Sequence, residues 1–294
     1  MIVITTPTGQ IGRQVLDNIL DTEEAIRVIA RDPSRLSPRV RERVEVVPGP
    51  HNDLGVLTEA LAGADSVFWV VPPDPRADSV DGHVLSFTRP LCEAVASRGV
   101  RRVVGVSTLG RGVVKNAGHL SAALAMDELI EATGVDYRAL RMPGFMENML
   151  HQVEPIRSQG VFFLAISGDR QIPTVATRDI AAAAAGLLLD GSWTGQDGVP
   201  VLGPEDLSPD DQAKIMSEVL DRPVRFQQVP AEAYKANLVR RGMSEAWAQG
   251  MADMATAIDR GAYNAEPRTP RSTTPTDFRQ WCEEVLKPAV SQRS

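Results

Sequence analysis

Two glycines near the start of the chain have the spacing of a phosphate-binding turn. They lie in the segment MIVITTPTGQIG at residues 1–12, in which the apolar residues 2–4 predict a strand and the following residues predict a helix. Gly9 and Gly12 match the last two glycines of a G-x-x-G-x-x-G pattern, and Thr6 stands in place of the first. Backbone amides and the helix dipole at such a junction converge on one spot. The segment therefore predicts a diphosphate cradle, with an ordinary strand–helix turn as the alternative.

Two arginines follow the second predicted strand, where coenzyme specificity is decided in many dinucleotide-binding folds. A carboxylate at this place binds the ribose 2′-hydroxyl of NAD, whereas a guanidinium pairs with a 2′-phosphate. Arg31 occupies the place, and Arg35 follows one helical turn later. The pair favours NADP(H) over NAD(H). The neighbouring Asp32 weakens the signal, and two solvated surface arginines are the alternative.

Hydroxyl groups end the fifth predicted strand at Ser107 and Thr108, where they could contact the ribose or the nicotinamide of a dinucleotide. In many reductases a serine at this place works with a Tyr-x-x-x-Lys pair on the next helix, and the tyrosine donates a proton to the acceptor. The predicted helix at 119–133 contains neither tyrosine nor lysine. Ordinary Tyr/Lys carbonyl reduction is therefore not supported, and Tyr137 is predicted to be a core residue.

His119 begins that helix and is the candidate proton donor. A helix N-terminus would lower its pKa and favour the neutral imidazole. The alternative is a polar residue that merely starts a helix. The other histidines, His51, His83 and His151, show no i, i+4 pairing, so no metal site is predicted.

The residues after the sixth predicted strand could contact the reacting groups. Pro143 and the glycine after it can bring the backbone close to a nicotinamide, and Phe145, Met146 and Asn148 would then face a substrate cleft. A turn followed by core residues is the alternative. Trp247 is predicted to serve in packing, with a place in the lining of an apolar pocket as the alternative.

Apolar runs alternate with amphipathic segments over the first half of the chain. Strands are predicted at Val3–Thr5, Ile26–Ala30, Val44–Val47, Ser66–Val71, Arg102–Ser107 and Tyr137–Leu140. Regular alternation with helices predicts an α/β fold with a doubly wound parallel (Rossmann) sheet, whose ligands lie at the carboxyl ends of the strands. We predict a dinucleotide-binding domain at 1–150 and a smaller, mostly helical lobe at 151–294. Segments such as Val199–Leu202 could return to the main sheet.

Composition sets wider bounds. The chain has 294 residues, 43% of them hydrophobic, and a net charge of −7 without a basic run, which argues against nucleic-acid binding. Its two cysteines build no disulfide framework. The longest apolar stretch, Ile180 to Leu189, is too short to cross a bilayer, and the start shows no signal-peptide pattern. These features predict a soluble protein of a reducing cytoplasm. The expected partner is a small-molecule substrate, and a homodimer is left open.

Several segments together resemble the NmrA-like branch of the atypical short-chain dehydrogenase/reductases in their order and spacing. They are TPTGQIG at residues 6–12 and the stretches 31–35, 60–65, 105–108, 134–148 and 177–180. The resemblance covers roughly the whole chain and implies a Rossmann domain that binds NAD(P)H, followed by a small substrate lobe. Family cofactor positions carry over to Thr8, Gly9, Gln10, Ile11, Gly12, Arg31, Val71, Pro72, Ser107 and Pro143, and the substrate wall to Phe145 and Asn148.

Three departures from the family pattern stand out: Thr6 replaces a glycine, Pro50 replaces an aspartate, and the lysine often found just before the acidic position near Asp127 and Glu128 is missing. The sequence predicts an NADPH-dependent reductase that transfers hydride to a small apolar or aromatic acceptor, such as a quinone or a conjugated carbonyl. Such acceptors need alignment and a dry site more than a Tyr/Lys pair. The alternatives are a non-catalytic NAD(P)H-binding redox sensor with a protein partner, and a lyase, cyclase or isomerase of a specialised pathway.

Overall fold

A seven-stranded parallel sheet organises the molecule. The computed structural model describes residues 1–292. Its strands are β1 Ile2–Ile4, β2 Ile26–Ala30, β3 Glu45–Pro48, β4 Ser66–Trp69, β5 Arg102–Thr108, β6 Asp136–Met142, β7 Gly144–Phe145, β8 Val161–Leu164, β9 Ile172–Val175, β10 Gln196–Pro200, β11 Asp206–Leu207 and β12 Arg225–Gln228. The main sheet has the order β10-β6-β5-β4-β1-β2-β3 with every pair parallel. The predicted doubly wound α/β fold is confirmed.

Some of the α-helices cover the two faces of this sheet, and others pack in a separate hydrophobic cluster. The helices are α1 Gln10–Ile19, α2 Pro38–Arg43, α3 Leu54–Ala60, α4 Val80–Arg98, α5 His119–Ala132, α6 Val153–Gln159, α7 Thr177–Leu189, α8 Pro209–Leu220, α9 Ala231–Arg240, α10 Glu245–Asp259, α11 Phe278–Trp281 and α12 Lys287–Ser291. Helices α1 and α7 pack on one face, and α3, α4 and α5 on the other. Coverage on both sides explains why β1, β2 and β4 consist entirely of buried residues.

The second half of the chain contains more strand than expected. It forms one three-stranded sheet, β11-β9-β7, and one two-stranded sheet, β12-β8. A run as short as Val161–Leu164 is apolar throughout, so periodicity alone does not distinguish a strand from a buried helix there. The expected return to the main sheet is confirmed, because Val199 pairs with Leu140. The domain boundary at residue 150 stays a prediction, and residues 293–294 of the predicted lobe lie outside the described residues.

Candidate functional site

The sheet reverses its winding at β1, which lies between β4 and β2. Helix α1 leaves β1 toward one face, and α4 leaves β4 toward the other. The crevice that opens between the carboxyl ends of two such strands is the usual ligand site of a doubly wound sheet. The turn at residues 6–12 and the loop at residues 70–79 border this crevice.

The turn before α1 is closed by the chain itself. The Gly9 amide donates to the Thr6 carbonyl at 3.0 Å, and the first helical bond runs from the Arg13 amide to the Gly9 carbonyl, also at 3.0 Å. No side chain among residues 1–292 caps α1. The amides of residues 10–12 therefore have no partner within the helix, as at any uncapped N-terminus. The Gly9 amide is already used in the turn.

Thr6 makes glycine obligatory at position 12. A Cβ on Gly12 would lie 2.1 Å from the carbonyl oxygen of Thr6 and 2.5 Å from Oγ1 of the same threonine. Threonine in place of the first glycine thus fills the turn rather than opening it. Thr8 and Gln10 are exposed at the mouth of the turn, whereas Ile11 is buried against the sheet.

Arg31 and Arg35 are both exposed, and neither forms an ion pair within the described chain. Asp32 is directed elsewhere, since its carboxylate accepts hydrogen bonds from the Ser34 hydroxyl at 2.6 Å and the Ser34 amide at 3.0 Å. These bonds lower the pKa of Asp32. The acidic residue that weakened the sequence signal caps its own turn, and both guanidinium groups remain available to an anion.

Two histidines that the sequence did not single out hold the loop after β4. His51 Nε2 lies 3.0 Å from the Val70 carbonyl oxygen, and His83 Nε2 lies 2.8 Å from the Pro72 carbonyl oxygen. Since a carbonyl only accepts, both imidazoles must carry the proton on Nε2. Burial lowers the pKa of His51 to about 4, so this ring is neutral at physiological pH. Together they fix the backbone on both sides of Val71 at the crevice.

A mostly apolar cavity of about 160 Å³ opens beside this loop. Its walls come from β5, α4, α5, α10 and the loop itself: Val70, Val71, Pro72, Pro73, His83, Val84, Val106, His119, Ala123, Met126 and Trp247. An apolar cavity of about 150 Å³ holds one benzene-sized ring. The cavity therefore has room for a single flat ring.

Trp247 closes the cavity from the second half of the chain and is 6% exposed. Its ring centroid lies 4.5 Å from that of His119 and 5.6 Å from that of His83. The expectation that Trp247 serves in packing is correct, but the surface it packs against is the cavity wall. No pattern within α10 marks this position, because the contact joins residues more than 120 positions apart.

Helix α10 contacts the loop after β4 and the residue that precedes α5. Ser244 donates from its amide to the Pro75 carbonyl at 2.9 Å and from its hydroxyl to the Ala77 carbonyl at 2.6 Å. A Cβ on Gly118 would lie 2.1 Å from the Gly250 carbonyl oxygen, so the two backbones touch. The wall is therefore fixed by backbone contacts as well as by side-chain packing.

His119 lies at the cavity wall, at the first position of α5. Its Nε2 is 3.4 Å from the Trp247 carbonyl oxygen. The pKa of His119 is lowered, as the sequence suggested, although the largest cause is burial rather than the helix dipole. Because that carbonyl only accepts, the neutral ring carries its proton on Nε2 and leaves Nδ1 as an acceptor, which argues against His119 as the proton donor.

Ser107 and Thr108 end β5 side by side, but their hydroxyls have different surroundings. Ser107 Oγ donates to Asp127 Oδ2 at 2.5 Å, and the other carboxylate oxygen accepts from Tyr137 Oη at 2.7 Å. Gly105 makes room for the tyrosine, since a Cβ there would lie 2.4 Å from Tyr137 Oη. Thr108 Oγ1 is buried and has no partner within residues 1–292. Tyr137 is the buried residue that was predicted, whereas Asp127 was noted only as a family position.

Asp127 is 1% exposed, and burial raises its pKa from 3.8 to about 6. Between these two values the folded protein binds more protons than the unfolded chain, so this group makes stability fall as pH rises. Asp127→Asn imitates the neutral acid and removes the effect. From pH 5 to pH 8, the free energy of unfolding of the wild type should fall by roughly 1–2 kcal/mol relative to that of the variant. Urea unfolding of both proteins at the two pH values measures it, and a constant difference would show that Asp127 is ionised throughout.

The segment after β6 agrees only in part with the predicted substrate wall. Pro143 is buried, Phe145 is partly exposed, and Asn148 is exposed. Met146 is 3% exposed and lies in a hydrophobic cluster with Met149. This packing argues against Met146 as a substrate contact, because a turn of 3₁₀ helix begins at this residue and rotates its side chain inward.

Two further features concern the whole described chain. Within residues 1–292, no group of three or more His, Cys, Asp or Glu side chains is placed to hold a metal ion. None of the helices in that range is long and apolar enough to cross a membrane.

Comparisons with known proteins agree with the geometry of the crevice. Residues 7–190 match the model of an NAD(P)H-binding family. The chain is 31% identical over 293 residues to the (4-alkanoyl-5-oxo-2,5-dihydrofuran-3-yl)methyl phosphate reductase of Streptomyces griseus subsp. griseus, with 97% of both chains covered. It is 26% identical to the NAD(P)H azoreductase of Xenophilus azovorans, with 86% of both covered.

The fold is also that of a known coenzyme complex. The structure of the NADPH-dependent quinone oxidoreductase QOR2 of Escherichia coli with NADPH superposes with a TM-score of 0.77, at 23% identity and with 90% of each chain covered. The family match extends over more than half of the chain and includes the turn before α1. The chain belongs to this NAD(P)H-binding family, and the resemblance to the NmrA-like atypical short-chain dehydrogenase/reductases is thereby confirmed.

Proposed function

We propose that this protein is an NADPH-dependent reductase that transfers hydride to a small apolar or aromatic acceptor with a conjugated carbonyl or quinone group. The observation that carries the proposal is the uncapped N-terminus of α1, which lies at the same sheet edge as the single-ring cavity. A coenzyme and an acceptor can therefore meet there. The relatives named above reduce a conjugated furanone, azo compounds and quinones, according to their names, which supports this acceptor class.

The chain offers matching groups along the whole length of a dinucleotide. The amides of residues 10–12, with the hydroxyls of Thr6 and Thr8, would hold the diphosphate, and Arg31 and Arg35 the 2′-phosphate. At the nicotinamide end of the dinucleotide, the residues that would contact it are Val71, Pro72, Ser107, Thr108 and Pro143. The buried Thr108 hydroxyl has no hydrogen-bond partner within residues 1–292, and a bound coenzyme would supply one. When bound, the coenzyme supplies the hydride.

The residues of the chain would orient the acceptor and keep water away from it. Trp247 offers an aromatic wall, and His119 a neutral imidazole whose Nε2 proton is directed at the Trp247 carbonyl, so that its Nδ1 can accept a hydrogen bond. Phe145 and Asn148 would border the entrance. An acceptor whose conjugated system takes up the charge can receive its proton from water, which accounts for the missing Tyr/Lys pair.

NADP(H) is favoured over NAD(H) in this proposal because of Arg31. We expect Arg31→Ala to weaken NADPH binding about tenfold or more, since a charge-assisted hydrogen bond contributes about 1.5–3 kcal/mol. NADH binding should change little, because NADH lacks the 2′-phosphate. Fluorescence titration of both coenzymes measures the two constants. Asp32→Asn is the matched control variant, because the carboxylate of Asp32 accepts its hydrogen bond from Ser34. Equal losses of affinity for NADPH and NADH would show that Arg31 is a solvated surface residue without a role in coenzyme choice.

The proposed function is tested by NADPH oxidation with a panel of benzoquinones and cyclic enones. We expect turnover with acceptors of one ring, faster with NADPH than with NADH. Tight NADPH binding without turnover for any member of the panel would contradict the reductase and support a non-catalytic sensor.

A further inference from the structure

Ser107 and Asp127 each follow a residue of the cavity wall in the sequence. Val106 and Met126, the residues that precede them in β5 and α5, both line the cavity. Ser107 is 7% exposed at the carboxyl end of its strand. The proposed reductase makes no use yet of the 2.5 Å bond between Ser107 Oγ and Asp127.

The protonation state of Asp127 decides which way this hydroxyl donates. An ionised carboxylate only accepts, so the Ser107 proton must be directed at Asp127 and away from the cavity. A neutral carboxylic acid donates its own proton to Ser107 Oγ. The serine proton is then free for another acceptor, while Tyr137 Oη continues to donate to the second oxygen at 2.7 Å.

We propose that Asp127 is a positioning residue that switches the Ser107 hydroxyl between itself and the oxygen of the bound acceptor. This inference rests on the proposed reductase function. As hydride leaves C4 of NADPH for the acceptor carbon, the electron pair of a conjugated double bond moves onto the acceptor oxygen. The Ser107 hydroxyl donates to that developing oxyanion. The resulting enolate or phenolate then takes a proton from water, which completes the balance with NADP⁺.

Burial has a larger effect on the pKa of Asp127 than the charged groups around it. Arg111 and Glu131 form an ion pair with each other, so their effects on Asp127 oppose one another. The other titratable groups on the packed elements are Tyr137 of β6, Cys92 of α4 and Glu128 of α5. The pKa values of Tyr137 and Cys92 are raised by burial, so both are neutral near pH 7. Burial then raises the pKa of Asp127 to about 6.

Asp127→Asn tests the switch, because its amide donates to Ser107 as the neutral acid does. With a cyclic enone and saturating NADPH, kcat/KM of the wild type should fall about tenfold per pH unit above pH 6. The variant should be flat from pH 6 to pH 8 and exceed the wild type at least about tenfold at pH 8. Ser107→Ala should be about 10²-fold slower than the wild type at pH 6, as when one oxyanion donor is lost, and its rate should not change with pH, so that the wild type approaches it as pH rises.

Tyr137→Phe provides a second variant and a readout that needs no coenzyme. Loss of a hydroxyl donor to the carboxylate raises the pKa of Asp127, so the falling limb of the pH profile should move to higher pH. The infrared carbonyl band of the neutral acid, recorded on the unliganded protein, should move with it and be absent in Asp127→Asn. Circular dichroism checks that each variant is folded.

The outcomes separate this inference from the reductase proposal. Turnover whose pH profile is the same in wild type and Asp127→Asn would overturn the switch and leave the reductase standing. A variant that is slower than the wild type by one factor at every pH would assign Asp127 a structural role only. No turnover in the wild type at any pH, with any acceptor, would overturn both.

Discussion

Gly12→Ala is expected to abolish NADPH binding in the micromolar range. A Cβ at this position would lie 2.1 Å from the Thr6 carbonyl oxygen, a backbone atom that cannot rotate away. The turn must therefore shift, and the amides of residues 10–12 lose their common direction. Loss of two charge-assisted hydrogen bonds, at about 1.5–3 kcal/mol each, weakens binding by about 10²–10⁴-fold. Calorimetric titration with NADPH measures the loss.

Gly186→Ala is the matched control for this variant. Gly186 is also helical, but it is exposed on α7 and no atom lies within 4 Å of a Cβ built there. Alanine at an open helix position adds roughly 0.5–1 kcal/mol of stability, and coenzyme binding should be unchanged. Full NADPH affinity in Gly12→Ala would show that the turn before α1 does not hold the diphosphate.

Trp247→Ala is expected to have the largest effect on both stability and acceptor binding. Truncation of a buried aromatic residue costs about 3–5 kcal/mol in free energy of unfolding. It also removes the cavity wall that α10 contributes, so KM for a quinone should rise at least about tenfold, the factor that corresponds to 1.4 kcal/mol. Affinity for 2′,5′-ADP, which lacks the nicotinamide, should be retained. Urea unfolding, steady-state kinetics and calorimetry measure the three quantities.

Trp193→Ala separates the two effects. Trp193 is buried to a similar degree, with 9% exposure, but it packs against Arg102 and Arg138 at the opposite edge of the sheet. Its loss should destabilise the protein without a change in KM. If both variants raise KM to the same extent, Trp247 acts through stability alone. Trp247→Phe serves where the alanine variant unfolds.

The sequence was sufficient for features encoded by local pattern. Apolar runs and intervening amphipathic segments predicted six strands of the main sheet, and the boundaries of β2 were predicted at Ile26 and Ala30. The glycine spacing predicted the turn before α1. The coenzyme contact of Arg31, predicted from its place after β2, stays a prediction, and the structure adds that the Asp32 carboxylate is directed to Ser34.

Features that depend on distant contacts could not be read in the same way. Trp247 is more than 120 residues from His119 in sequence, and nothing in its helix distinguishes a cavity wall from ordinary packing. The hydrogen bonds of Asp127 join α5 to β5 and β6, so its burial follows from tertiary packing alone. Met146 was assigned to the cleft from its place after a strand, whereas the 3₁₀ turn buries it.

The most direct test of the central claim follows the amide signals of glycine residues in ¹⁵N-glycine-labelled protein during a titration with NADPH. We predict that the signals of Gly9 and Gly12 move and saturate at micromolar coenzyme, because they lie in the turn that holds the diphosphate. Those of Gly63, Gly99 and Gly134, which precede β4, β5 and β6 at the opposite edge of the sheet, should stay in place. Unchanged Gly9 and Gly12 signals at millimolar NADPH would contradict the account.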